Sequence, residues 1–109
     1  MRMIEPGLTI AGRIVALLNT EIAEAIVSTD QGTRLTAQAF EEMRCDPHEV
    51  VVNFSGGITQ RCWSVSQGDG TYRVVYLPTA GYFSLCVESD FGLLDIGVHG
   101  PALGCFGSV

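Results

Sequence analysis

Lysine is absent from this chain of 109 residues, and charged residues of all kinds make up only 17% of it. Without an ε-amino group the chain can form no Schiff base and can run no lysine-dependent phosphoryl chemistry. Arginine standing in for lysine throughout is what GC-rich coding produces. The few charges are also unbalanced. Twelve acidic residues against six arginines leave a formal net charge of -6, which repels phosphate backbones and anionic membranes at long range and argues against nucleic acid as a partner. No run of eighteen apolar residues occurs, so no membrane-spanning helix is expected. Met1-Arg2-Met3-Ile4-Glu5-Pro6-Gly7 meets an acid and a proline before any apolar run, and no small-residue cleavage site follows, which points to a cytoplasmic protein. The four cysteines Cys45, Cys62, Cys86 and Cys105 contain no C-x-x-C pair and read as reduced, mostly buried thiols. Zinc sites usually place two ligands close together on a turn, so neither a metal site nor another cofactor is expected.

What the chain does have is an apolar fraction of 47%. That is a globular composition, well away from disorder, and its length suits one domain over 1–109 with a core of its own. Residues 8–44 form the helical region. Ile10, Ile14, Leu17, Leu18, Ile22, Ala25 and Ile26 make one apolar stripe of 3.6-residue period, with Thr9 as N-cap and Asp30-Gln31-Gly32 as the stop. A break at Asn19-Thr20 and a strand over Leu8–Leu18 are the alternatives. A shorter helix follows from Thr36 to about Arg44, with Ala39, Phe40 and Met43 inward, and Asp46-Pro47 ends it.

Residues 49–109 read as strands. Glu49–Phe54 is β-branched, and Ser55-Gly56-Gly57 turns into a ladder of alternating segments punctuated at Gln67–Gly70, Pro78–Gly81 and Ser89–Gly92. The expected class is α+β, with one or two N-terminal helices packed on one face of a five- to six-stranded antiparallel meander sheet. Asp90-Phe91-Gly92 copies a kinase metal-binding tripeptide but reads as a hairpin turn, since the chain lacks the rest of that site.

Alternation sorts the ladder into two faces. Trp63, Val65, Val75, Leu77, Phe83, Leu85, Val87, Leu94, Ile96 and Val98 suit packing under the helices. Gln60, Cys62, Ser64, Tyr72, Val74, Tyr76, Tyr82, Ser84, Cys86, Glu88, Asp95 and His99 fall opposite. Cys62 or Cys86 with His99 and Asp95 supplies the thiol, imidazole and carboxylate that a cysteine nucleophile needs. Asp95 and His99, however, lie about 13 Å apart on an extended strand and could not touch without a bulge. Tyr72, Val74, Tyr76 and Tyr82 form an amphipathic surface suited to a partner, unless the segment Ala102–Val109 folds over them.

Three readings compete. The first is a small acidic non-catalytic interaction module, engaging a protein partner or a second copy through the Tyr/Cys-bearing face. The second is a small-ligand binder with its pocket between the tyrosines and Ala102–Val109. The third is a thiol enzyme built on Cys62 or Cys86 with His99. The first is preferred, because little charge covers the surface and no motif names a reaction.

Overall fold

The computed structural model describes residues 9–66 and 71–108. The Gln67–Gly70 turn lies outside the described residues. Helix α1 (Ile10–Ile26) begins where Thr9 accepts a bond from the Gly12 amide at 3.0 Å. Its stripe buries Ile14, Leu18, Ile22 and Ala25, while Ile10, Leu17 and Ile26 stay exposed. Asp30 does not stop this helix; it starts the next one. Asp30 Oδ2 accepts from the Thr33 amide and hydroxyl, both at 2.8 Å, and these bonds lower its pKa. An aspartate three residues before a free amide is an N-cap whatever glycine stands between. Helix α2 therefore runs Gln31–Met43, earlier than Thr36, and buries Ala37 and Phe40, whereas Ala39 is exposed.

Strand β1 (Arg44–Phe54) follows without a loop. Its pairing with β2 (Ile58–Ser66) passes from Arg44↔Ser66 to His48↔Ser64, so two residues of β1 are looped out. Pro47 sits in this bulge, the one place where its missing amide costs the ladder nothing. Strands β3 (Tyr72–Leu77), β4 (Tyr82–Ser89) and β5 (Gly92–Gly100) continue the meander. The turns at Ser55–Gly57, Pro78–Gly81 and Ser89–Gly92 fall where turn chemistry places them.

Two features depart from a plain antiparallel sheet. The sheet closes into a barrel in the order β1-β2-β3-β4-β5, with β1 and β5 parallel at Val52↔Leu93 and Asn53↔Leu94. The parallel seam is a matter of parity: in an up-and-down meander of five strands, the first and last run the same way when they meet. The ladder also stops at Gly100, and Ala102–Phe106 forms a short helix, α3, instead of further strand.

Helix α3 covers β3 and β4 beside α1 and α2, and one core lies beneath the helices. It gathers Ile14, Leu18, Ile22, Phe40, Val65, Val74, Tyr76, Phe83, Leu85, Ala102 and Cys105. A second core, Val52, Cys62, Val75, Leu77, Cys86 and Leu93, fills the barrel from the other face of the strands. Five residues are too few for a stable helix alone, and Pro101 at its N-cap offers no side-chain acceptor. Glu21, off the stripe of α1, supplies the cap: its two carboxylate oxygens accept from the amides of Ala102 and Leu103, each at 3.0 Å.

Candidate functional site

The thiol, imidazole and carboxylate do share a face. Antiparallel partners Cys86↔Asp95 and Ser84↔His99 place these four side chains on the barrel-filling side of β4 and β5, with Cys62 and Ser64 on that side of β2. Asp95 and His99 meet because β5 carries the bulge that contact requires. Leu85 and Cys86 are consecutive, yet they pair with Val98 and Asp95, so Ile96 and Gly97 are looped out. Gly97 takes φ +82, a conformation that glycine alone adopts freely. Removing two residues from the ladder turns a separation of four into an effective two and leaves the facing unchanged. His99 Nε2 then lies 3.1 and 3.2 Å from the two Asp95 oxygens. The buried Ser84 hydroxyl donates to the same carboxylate, and Tyr82 stacks on the His99 ring with centroids 5.0 Å apart.

The order of these bonds decides what the cluster can do. Nucleophile activation needs the imidazole between the nucleophile and the carboxylate. Here Asp95 stands in the middle and takes bonds from both Ser84 and His99, which ties neighbouring strands together. The thiols are set against activation. Burial, then the Asp95 charge, pushes the Cys62 thiol up to about 11. The same two causes, burial first, push Cys86 up to about 12; Cys62 and Cys105 add to this and the Ser84 hydroxyl partly offsets it. Cys105, buried near Glu21 and Asp95, goes up to about 11. A thiolate is the reactive form, and these surroundings disfavour it. Cys45 is half-buried, with its sulfur 3.9 Å from Nδ1 of the exposed His48, and burial raises its pKa too.

The tyrosines do not share the cysteine face, which corrects the sorting by alternation. Trp63 pairs with Tyr76 and Ser64 with Val75, so Tyr72, Val74 and Tyr76 belong with Trp63 under the helices. Val74 and Tyr76 are buried, Tyr72 is half-buried, and Tyr76 packs edge-on against Phe83. Val75 and Leu77 instead fill the barrel. A slip of one residue exchanges every side chain of a strand between faces, and β3 offers no alternation to prevent it, since Val74 and Tyr76 are as apolar as Val75 and Leu77. The segment Ala102–Phe106 lies over these rings, with Ala102 and Cys105 fully buried. Of the four proposed surface residues only Tyr82 is exposed, at the barrel rim beside His99.

The tyrosines Tyr72 and Tyr76 and the residues of α3 thus share one packed core. An open groove of about 460 Å³ runs between α2 and α3, lined by Asp30, Thr33, Thr36, Leu103, Gly104 and Gly107 among others. No group of three or more His, Cys, Asp or Glu side chains suited to a metal occurs among the described residues. No described helix is long and apolar enough to cross a membrane.

Sequence reasoning missed a different surface. None of Val51, Asn53, Leu93 and Leu94 at the β1–β5 seam belongs to the core beneath the helices. Val51 alternates with the barrel-filling Val50 and Val52 and is 56% exposed. Leu94 alternates with Leu93 and pairs with Val87, and both are half-buried. Phe91, at the β4–β5 turn, is 86% exposed, and Asn53 holds that turn against β1 through its amide, which donates to the carbonyls of Phe91 and Leu93 at 3.0 and 3.1 Å. The signal was present in the turn itself: a phenylalanine has no conformational reason to occupy a hairpin tip. No protein-family model, curated protein or solved structure matches this chain.

Proposed function

We propose that this protein is a small acidic, non-catalytic interaction module that engages a protein surface through the barrel wall at the β1–β5 seam. The observation that carries the reading is the exposure of Phe91 and Val51 beside Leu94, at a seam outside the core beneath the helices. Burying a phenylalanine and a valine is worth roughly 1.5–3 kcal/mol each, and an exposed aromatic flanked by aliphatic residues is the usual anchor of an interface. The docking surface thus moves from the tyrosine/cysteine face to this wall. The elevated thiol pKa values and the position of Asp95 between Ser84 and His99 favour a binding role over thiol catalysis.

A photo-crosslinking aromatic residue placed at Phe91 tests the reading in cells of the source organism. A discrete protein adduct at position 91, absent when the same group replaces Gln38 on the exposed side of α2, is the expected result. Equal labelling at both positions, or no adduct at 91, would overturn it.

A further inference from the structure

We infer that the partner seated on the β1–β5 wall is a second copy of this chain, related by a two-fold axis and registered by Arg61 of each copy against Asp90 of the other. The inference rests on the reading of this wall as an interaction surface and adds the identity of its occupant. Three observations carry it.

The first is an exposed cation with no carboxylate partner among the described residues. Arg61 is exposed and stands opposite Val51 on β2. In a chain with a net charge of -6, Arg44 and Arg73 each find a glutamate at 3.0 Å. Arg61, like Arg13 and Arg34, is paired with no carboxylate among the described residues, and its diagonal neighbour Glu49 makes no bond to it. The second is the position of an acidic residue across the seam. Asp90 is exposed at the β4–β5 turn, next to Phe91, on the far side of the seam from Arg61. The third is what lies between: Val51, Asn53 and Leu94, apolar apart from one amide that is already engaged with the Phe91 and Leu93 carbonyls.

The wall thus runs from a cation on β2, across an apolar seam, to an anion beside an exposed aromatic ring. A two-fold interface brings each feature of a patch onto its counterpart in the partner. It would meet Arg61 with Asp90 twice and lay Phe91 on the Val51/Leu94 seam. Arg61 against Glu49 and Asp90 leaves this wall with one net negative charge, a small share of the whole, so the acidity of two copies opposes their approach mainly at long range, where salt screens it. A partner of strongly basic surface would find little here to bind, because most of the acidic side chains lie elsewhere. The apolar contact would supply the affinity, and the exposed ion pairs the register.

Sedimentation equilibrium across micromolar to millimolar protein tests this with Arg61→Glu, Asp90→Arg, the double variant Arg61→Glu/Asp90→Arg, and Phe91→Ser. All replace exposed side chains, and circular dichroism confirms that each variant is folded. The wild type is expected to be a dimer. Each charge reversal should weaken dimerisation by about tenfold, and Phe91→Ser by more. The double variant should recover to within a few-fold of wild type, because the exchanged charges again meet their opposites. A wild type that stays monomeric throughout overturns the inference, as does a double variant no tighter than the two single losses combined. Position 91 then separates the two claims. An adduct with a different protein retains the interaction module and rejects self-association, whereas no adduct rejects both.

Discussion

Glu21 is the side chain whose removal should cost this fold more than its sequence position suggests. It sits in the middle of α1, half-buried, and both of its oxygens accept amide bonds at 3.0 Å from the first turn of α3. Hydrogen bonds to a charged group are worth about 1.5–3 kcal/mol each when buried. Loss of an N-cap costs about 0.5–2 kcal/mol. The two bonds are themselves the cap, and partial exposure brings Glu21→Ala below their summed value to the upper end of the capping range, about 2 kcal/mol, or a fall in Tm of roughly 10 °C for a domain of this size. Glu21→Gln keeps one acceptor oxygen and should lose about half as much. Detachment of α3 also has a local readout. Cys105, 1% exposed beneath that helix, should become open to alkylation well before the rest of the chain unfolds. Urea titration followed by the fluorescence of Trp63, with timed alkylation and mass spectrometry, measures both effects. Glu24→Ala, at an exposed position on the same helix, is the control. The reasoning fails if Glu21→Ala is no more destabilising than Glu24→Ala, or if Cys105 stays as protected as in the wild type.

Other expectations follow from the same geometry. Gly97→Ala meets no atom within 4 Å of its new methyl group, so its cost is the positive φ alone, about 1–2 kcal/mol in a urea titration. It should also perturb the NMR signals of the His99 ring while sparing those of His48; equal effects on both rings would contradict the bulge as the source of the Asp95–His99 contact. Stability should fall at alkaline pH. The fold keeps Cys62, Cys86 and Cys105 protonated up to about 11, 12 and 11, while the unfolded chain ionises them from about 9. Their contribution is therefore complete below pH 9 and is lost as pH rises through the folded values. Between pH 9.5 and 11 stability should fall steadily with pH, because the unfolded chain has lost these protons while the fold still holds them, and Cys86→Ala should make the fall shallower by about a third. A flat profile over that interval would show that the thiols are not held protonated.

What the chain determined by itself is what neighbouring residues can decide. The 3.6-residue stripe and Thr9 define α1, the glycine and serine clusters define the turns, and the β-branched run defines the core of β1, because in each case the interacting groups lie within a few positions. The composition of the cysteine face was legible on β2, β4 and β5, where apolar and polar residues alternate, and so was the need for a bulge between Asp95 and His99. The face of β3 was not, because both of its parities are apolar and only pairing with Trp63 and Ser64 decides between them. Nor was α3, a five-residue helix whose cap lies 81 positions away on α1. Asp30 was misread because a helix stop and an N-cap use the same residue types, and the bond to Thr33 distinguishes them. Barrel closure belongs to the tertiary structure as well. It depends on β1 meeting β5 in parallel at Val52↔Leu93 and Asn53↔Leu94, and that contact leaves no mark in the local pattern of either strand. The same closure leaves the β1–β5 wall outside the core beneath the helices, so the surface assigned to binding exists only once strands some forty residues apart have met.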